Sequence, residues 1–238
     1  MDADLQLALS LADDADRLTM ARFRALDLRV ERKPDLTPVT EADQAVERAL
    51  RDCLAQERSG EAVAGEEFGV EEGDVRWWLD PIDGTKQYAR GLPIWATLIA
   101  LDRSGETVCG VVSAPALGHR WWAARGGGAF RDGEPIRVSA VADLADAYVS
   151  TTSMREAHRL APVSQRAYVA RTYTDFWQYA LVAEGSIDVA AEFFLHDWDW
   201  KAPKLLVEEA GGRYTIEPDL YVASNPALHG EVVAILRA

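Results

Sequence analysis

The sequence is poor in cysteine, in lysine and in long apolar stretches. Among its 238 residues are two cysteines, Cys53 and Cys109, too few for a disulfide framework and not spaced as a pair of metal ligands. No run of 18 apolar residues occurs, and the N-terminus lacks the basic and apolar segments of a signal peptide. We therefore expect a cytoplasmic protein with reduced thiols and no membrane span.

Positive charge is also scarce. The 25 Lys and Arg residues face 39 Asp and Glu residues, which gives a net charge of −14. Nucleic acids and anionic membranes bind clustered basic residues, so neither is expected as a partner. An acidic protein that acts on an anionic substrate needs a local source of positive charge.

The hydrophobic pattern changes along the chain. Helical spacing of apolar residues predicts a helix over residues 3–28 and another after the proline-containing break at 33–38, whereas residues 60–73 are predicted as mostly loop. Strand-like segments with tight turns follow, and past about residue 140 short strands and helices alternate. We predict an α/β protein, a layered α+β sandwich with an N-terminal half over 1–138 and a C-terminal half over 139–238.

The segment Trp77-Trp78-Leu79-Asp80-Pro81-Ile82-Asp83-Gly84-Thr85 is the most informative. We expect an apolar strand to end at Asp80, where Pro81 stops it, and a sharp turn to follow at Gly84. Two carboxylates, the Ile82 carbonyl and the Thr85 hydroxyl form a set of hard oxygen ligands that suits Mg²⁺. The N–H groups of Gly84 and Thr85, at a possible helix start, are candidates to hold a phosphate oxygen.

Simpler explanations exist for these residues. Asp, Pro and Gly are common in turns, and Asp199 near the start of a predicted helix can be a cap. Against them stands the accumulation of acids in similar settings, namely Asp43, Glu66, Glu67 and Asp197.

Four segments together resemble the inositol monophosphatase superfamily, whose members are Mg²⁺-dependent, lithium-inhibited phosphatases. They are Val39-Thr40-Glu41-Ala42-Asp43, Gly65-Glu66-Glu67, Asp80-Pro81-Ile82-Asp83-Gly84-Thr85, and Trp198-Asp199 followed by Glu209-Ala210-Gly211-Gly212. The resemblance covers nearly the whole chain, and it implies the superfamily's layered fold.

The resemblance also implies roles for individual residues. Glu66, Asp80 and the Ile82 carbonyl would bind the first of two or three Mg²⁺ ions. Asp80, Asp83 and Asp199 would bind the second. Thr85, oriented by Asp43, would position and activate the attacking water. Glu66 would also belong to the catalytic residues. Paired metals relieve charge on the transferring phosphoryl group and acidify water, so this assignment is chemically consistent.

Other segments resemble the bacterial histidinol-phosphate phosphatases of the superfamily, chiefly residues 171–176 and 120–126. The substrate of that group carries an ammonium and an imidazole, and Asp175 and Glu192 are candidates to bind the cationic part. Asp175 can also be a helix cap, and Glu192 a surface carboxylate. An inositol-phosphate phosphatase, a broad-specificity phosphatase and a non-catalytic member remain as alternatives. The family further implies a homodimer. Its expected ligand is a small phosphate ester.

Overall fold

The computed structural model describes residues 3–34 and 36–238. Within these residues the helices are α1 Ala3–Arg22, α2 Glu41–Glu57, α3 Thr85–Ala89, α4 Ala157–Ser164, α5 Asp175–Ala183, α6 Asp197–Glu209 and α7 Pro226–Leu236. The strands are β1 Val30–Arg32, β2 Pro38–Thr40, β3 Ala62–Gly65, β4 Gly69–Val70, β5 Val75–Asp83, β6 Ala96–Arg103, β7 Glu106–Ala114, β8 His119–Ala124, β9 Gly128–Arg131, β10 Glu134–Pro135, β11 Tyr148–Ser150, β12 Val169–Arg171, β13 Val189–Glu192, β14 Arg213–Glu217 and β15 Leu220–Ser224.

Two large sheets and three pairs of helices stack in five layers, and β1 and β2 form a separate two-stranded sheet. The larger sheet has the strand order β10-β9-β8-β7-β6-β5-β3-β4, and the smaller has the order β12-β11-β13-β15-β14. Helices α1 and α2 cover one face of the larger sheet, α5 and α6 lie between the sheets, and α4 and α7 cover the outer face of the smaller sheet. The predicted layered α/β class is confirmed. The larger sheet ends with β10 at Pro135 and the smaller begins with β11 at Tyr148, and the division into two halves at residue 138 stays a prediction.

The middle layer explains why α5 is apolar over most of its surface. A helix enclosed between two sheets buries residues on every side, and Phe176, Tyr179, Ala180, Val182 and Ala183 are all buried. Helix α6 lies very close to β7, since a Cβ at Gly110 would come 3.0 Å from the Cα of Ala202. This close contact places the start of α6 beside the larger sheet.

The structure differs from the sequence-based expectations at several elements. Helix α1 ends at Arg22, before the left-handed residue Arg24 (φ 62°), so the prediction that it reaches residue 28 was wrong. Most of residues 60–73 lie outside helices and strands, as predicted, but the prediction missed the short strand β4 and the buried strand Ala62–Gly65, which pairs in parallel with β5. Its short apolar run carries no alternation that would identify a strand from sequence.

Candidate active site

Strand β5 brings two of the predicted acidic residues together. It continues through Pro81 to Asp83 rather than ending at Asp80, and its pairing with β6 shifts register between Asp80 and Asp83. This irregularity accommodates Pro81, which has no N–H to donate to the ladder. Asp80 is 2% exposed, and its Oδ1 accepts the N–H of Ile82 at 3.0 Å.

Gly84 joins this strand to helix α3. Its φ of +93° lies in the left-handed region, and a Cβ here would come 3.0 Å from the carbonyl oxygen of Ile94. Both the conformation and the space therefore favour glycine. Helix α3 begins at the next residue, Thr85, as the sequence predicts.

The hydroxyl of Thr85 lies between two acceptors. Its Oγ1 is 3.0 Å from the carbonyl oxygen of Ile82 and 3.3 Å from Oδ1 of Asp43. Asp43 is fully buried in the first turn of α2, where its Oδ2 accepts the N–H and the hydroxyl of Thr40 at 2.8 and 2.6 Å. This capping interaction fixes the orientation of Asp43 toward Thr85.

Glu66 is held in place by a residue that the sequence analysis missed. Glu47, one turn beyond Asp43 on α2, is fully buried and accepts the N–H groups of Glu67 and Phe68 at 2.7 and 3.2 Å. A Cβ on Gly65 would lie 2.2 Å from Oε1 of Glu47. Glu47 thus shapes the loop that carries Glu66, and its spacing of four from Asp43 on one helix was the available signal.

Asp199 comes from the opposite side, in the first turn of α6. Its Oδ2 accepts the N–H of His196 at 2.8 Å, so Asp199 has the capping role that was the simpler explanation. Lys201 on the same helix donates to Oδ2 of Asp102 at 2.5 Å, and Trp78 and Thr107 also donate to that carboxylate, at 2.9 and 2.7 Å. This buried ion pair fastens the start of α6 to the larger sheet.

One open cavity of about 420 Å³ collects these residues. Its wall includes Thr85, Gly84 and Ile82 together with five acids, Glu66, Asp80, Asp83, Asp175 and Asp199. Every predicted metal ligand therefore lines the same cavity. Asp43 lies behind Thr85.

Burial and mutual repulsion raise the pKa values of the acids in this cavity. The pKa of Asp80 is well above its ordinary value because of burial, with further contributions from the charges of Glu66 and Asp83. Burial and the charges of Asp175 and Asp199 do the same for Asp83. Burial raises the pKa of Asp199 to about 7. Burial likewise raises the pKa of Asp43 to about 6, opposed by hydrogen bonds from Thr40. The carboxylates of this cavity therefore have too few positively charged groups near them to balance their negative charge.

The donor set fits a hard divalent cation. It consists of carboxylate oxygens and the Ile82 carbonyl, the ligands that Mg²⁺ prefers, and its excess of negative charge needs a cation. Within residues 3–34 and 36–238, no group of three or more Asp, Glu, His or Cys side chains is arranged so that it could hold a metal ion as it stands. The carboxylates have protein donors instead: Lys33 for Glu66, the N–H of Phe176 for Asp83 and that of His196 for Asp199. A bound cation would compete with these donors.

Lys33 is a second residue that the sequence analysis missed. Its Nζ donates to Glu66 and to Glu67, both at 2.7 Å. Although burial lowers the pKa of Lys33, these two hydrogen bonds raise it above its ordinary value. Lysine is rare in this chain, and both Lys33 and Lys86 line the cavity, so that rarity was a usable signal.

Asp175 lies beside the metal-ligand candidates. It is the first residue of α5 and has a left-handed backbone (φ 48°), which is uncommon for a non-glycine residue. Its Oδ2 accepts Nε2 of Gln87 at 2.6 Å and the hydroxyl of Thr174. Thr174, not Asp175, is the N-cap residue, and the N–H of Phe176 donates to Asp83 at 2.5 Å. The helix-cap alternative for Asp175 was therefore wrong.

Glu192 lies below the cavity and is absent from its described wall. It is 4% exposed at the end of β13, so the surface-carboxylate alternative was wrong. Its Oε1 accepts the Thr151 hydroxyl at 3.0 Å, Nε2 of Gln178 at 3.2 Å, and the N–H of Thr152. Thr152 lines the cavity, so Glu192 contacts a residue of the cavity wall without lining the cavity itself.

No helix in the described ranges combines the length and apolarity that a transmembrane segment needs.

Comparison with known proteins places this site in a familiar context. A sequence profile described as "Inositol monophosphatase family" matches residues 2–221. A histidinol-phosphatase of Mycobacterium tuberculosis is 48% identical, with the alignment covering 99% of this chain and 98% of the relative. A histidinol-phosphatase of Streptomyces coelicolor is 47% identical, covering 98% of this chain and 96% of the relative.

Solved structures agree with the sequence comparisons. An IMPase of Thermotoga maritima superimposes with a TM-score of 0.92 at 31% identity, covering 99% of this chain and 97% of the other. An inositol monophosphatase from Zymomonas mobilis gives 0.88 at 28% identity, with both chains covered completely.

Proposed function

The chain belongs to the inositol monophosphatase family, and on that premise we propose that it is a Mg²⁺-dependent phosphatase that hydrolyses L-histidinol phosphate to L-histidinol and phosphate. The family is known to be metal-dependent. The observation that carries the choice of substrate is the position of Asp175, a carboxylate on the wall of the cavity that also holds the metal-ligand candidates.

The metal ligands follow from the donor set. Glu66, Asp80 and the Ile82 carbonyl would hold one ion, and Asp80, Asp83 and Asp199 a second. When bound, these ions would supply the positive charge that a phosphate ester needs in an acidic cavity, and would acidify a water molecule. Inhibition by Li⁺ is the family expectation.

Thr85 and Asp43 act on the attacking water. A hydroxyl has one proton and two lone pairs. The Thr85 hydroxyl lies within reach of Asp43 and of the Ile82 carbonyl, and a lone pair of Oγ1 remains for a proton of the attacking water. As the water oxygen bonds to phosphorus, its proton passes to Oγ1 while the Thr85 proton passes to the Asp43 carboxylate, and the bond between phosphorus and the ester oxygen breaks. The ester oxygen takes a proton from solvent as the alcohol leaves, and Asp43 returns its proton to solvent through Thr85. The N–H groups of Gly84 and Thr85 are the candidates to hold a phosphate oxygen at the start of α3.

Asp175 would bind the ammonium of the substrate. Its carboxylate lines the cavity, and the hydrogen bond that Oδ2 accepts from Gln87 holds the side chain in position. Glu192 would act on the same part of the substrate through Thr152. A sugar-alcohol phosphate has no cation for either carboxylate.

Related expectations complete the proposal. We propose a cytoplasmic homodimer that acts in histidine biosynthesis, as the family resemblance implies.

Phosphate release from a substrate panel tests the proposal. The panel contains L-histidinol phosphate, inositol-1-phosphate, fructose-1,6-bisphosphate and 3′-phosphoadenosine-5′-phosphate. We expect the highest kcat/KM with L-histidinol phosphate. A value no higher than those of the other esters would contradict the substrate assignment, and no turnover of any ester would support a non-catalytic protein.

The variant Asp175→Asn tests the role of the ammonium. We expect a large loss of kcat/KM with L-histidinol phosphate and a small loss with fructose-1,6-bisphosphate, which has no amine. A charge-assisted hydrogen bond contributes about 1.5–3 kcal/mol, which corresponds to a loss of roughly tenfold to a hundredfold. Equal losses on both substrates would indicate a structural role.

A further inference from the structure

Three rings form a ladder along one wall of the cavity. Trp198 stacks on His196 with centroids 4.8 Å apart and an interplanar angle of 19°. His196 meets Phe194 edge to face, with centroids 4.9 Å apart at 84°. All three rings line the cavity, and Trp198 directly precedes the metal-ligand candidate Asp199. The ladder thus runs from the carboxylate cluster to Phe194.

The outermost ring, Phe194, is unusually accessible. It is 70% exposed, whereas its neighbour Phe193 is 5% exposed and packs in the core of the smaller sheet. Arg159 lies over the ring of Phe193 at 4.1 Å. The chain therefore buries one phenylalanine of the pair and presents the other at the cavity.

The backbone directly after Phe194 is held by two hydrogen bonds. The hydroxyl of Tyr221 donates to the Leu195 carbonyl at 3.2 Å, and the N–H of His196 donates to Asp199 at 2.8 Å. The edge-to-face contact with His196 restricts the Phe194 ring, which lowers the conformational entropy lost when a ligand stacks on it. Trp95 and Trp121 do not supply such a surface, because both are buried in the core.

We propose that Phe194, supported by His196 and Trp198, is the specificity-determining surface that binds the planar imidazole of the substrate. The inference rests on the proposed function and adds a recognition site for the ring to that proposed for the ammonium. Asp175 and Phe194 line one cavity with the acidic cluster, so phosphate, ammonium and ring each have a separate partner. Aromatic rings pair favourably in stacked and edge-to-face arrangements, which suits an imidazole.

The test uses two substrates that differ only in the ring. In 2-aminobutyl phosphate the phosphate and ammonium of L-histidinol phosphate are kept and a methyl group replaces the imidazole. For Phe194→Ala we expect KM for L-histidinol phosphate to rise about three- to tenfold, the range of an aromatic pair, with kcat unchanged. The same variant should leave kcat/KM for 2-aminobutyl phosphate unchanged. Phe194→Tyr keeps a ring and should resemble the wild type.

Tyr168→Ala is the matched control, since Tyr168 is 68% exposed and is not part of the cavity wall. It should alter neither substrate. Equal effects of Phe194→Ala on both substrates, or no effect on either, would overturn the inference. A smaller particle mass for Phe194→Ala in solution, with both substrates affected alike, would also overturn it and assign the ring to contact between copies of the chain. A wild type that prefers inositol-1-phosphate to both amines would instead contradict the proposed function itself.

Discussion

The hydroxyl of Thr85 lies 3.3 Å from Oδ1 of Asp43, although 42 positions separate these residues in the sequence. Asp43 in turn receives two hydrogen bonds from Thr40, so helix α2 and the turn after β5 are joined at the cavity. In the proposed mechanism, this contact leaves one lone pair of the Thr85 oxygen for the attacking water.

Thr85→Val tests this relationship. Valine matches the shape of threonine but has no hydroxyl, so we expect kcat for phosphate release to fall about a hundredfold or more, the usual contribution of a general base. Thr85→Ser keeps the hydroxyl and should retain most of the rate. A Thr85→Val enzyme with more than about a tenth of wild-type kcat would show that the hydroxyl is not required.

The raised pKa values predict how stability depends on pH. Burial raises the pKa of Asp43 to about 6 and that of Asp199 to about 7, against an ordinary value of 3.8. The folded protein therefore holds more protons than the unfolded chain between about pH 4 and pH 7, so the free energy of unfolding decreases as pH rises through this window.

Thermal unfolding of the chelator-treated protein measures this effect. We expect a higher Tm at about pH 5.5 than at about pH 7.5, and a smaller difference for Asp199→Asn, which cannot ionise at that position. Added Mg²⁺ should raise Tm more at the higher pH, where the carboxylates are ionised. An Asp199→Asn protein with the wild-type pH dependence would assign the effect to other groups.

Gly65→Ala tests how Glu47 positions the loop of Glu66. The new Cβ would lie 2.2 Å from Oε1 of Glu47, which is already held by Arg51, Glu67 and Phe68, so the loop must shift. We expect at least a tenfold loss of kcat/KM and a higher Mg²⁺ concentration at half-maximal rate, since Glu66 moves with the loop (about 1.4 kcal/mol per tenfold).

Gly230→Ala is the matched control for this substitution. Gly230 lies in α7 with open space around its Cβ position, so alanine should raise the free energy of unfolding by about 0.5–1 kcal/mol and leave the rate unchanged. A Gly65→Ala enzyme with wild-type kinetics and Mg²⁺ dependence would contradict the role of Glu47 in positioning the loop of Glu66.

Lys201→Met tests the ion pair beneath α6. The substitution leaves the buried carboxylate of Asp102 without its cation, and the loss of one partner of such a pair costs about 3–5 kcal/mol. We expect a decrease of that order in the free energy of unfolding by urea. Asp102→Asn together with Lys201→Met should be less destabilising than the single substitution, because no unpaired charge remains. A single variant as stable as the wild type would contradict this role.

Much of the site could be predicted from the sequence because its residues lie in short motifs. The string from Asp80 to Thr85 combines ligands, a proline and a glycine in six residues, and the structure places it at one wall of one cavity. Helix α7 carries a similar local signal, because it begins at Pro226 and proline suits the first helical turn.

The features that were not predicted from the sequence depend on contacts between segments that are distant along the chain. The spacing of Glu47 from Asp43 places both on one face of α2, but it does not indicate that Glu47 binds the N–H groups of Glu67 and Phe68. Lys33 contacts Glu66 across 33 positions. Phe194 and His196 alternate along the segment before α6, and Trp198 lies in the first turn of that helix. Which of Phe193 and Phe194 faces the cavity depends on how β13 packs. Strand β3 was missed because a buried parallel strand shows no alternation of polar and apolar residues.

The central claim is that the acidic cavity becomes a phosphatase site when it binds divalent cations. The most direct test measures phosphate release from L-histidinol phosphate with chelator-treated protein, before and after Mg²⁺ is added back. The measurement compares the wild type with Asp80→Asn. We expect Mg²⁺ to restore the wild-type rate and Asp80→Asn to stay at least about tenfold slower, a difference above ~1.4 kcal/mol. A wild-type rate that is the same in chelator as in Mg²⁺, or an Asp80→Asn enzyme with more than about a tenth of that rate, would contradict the claim.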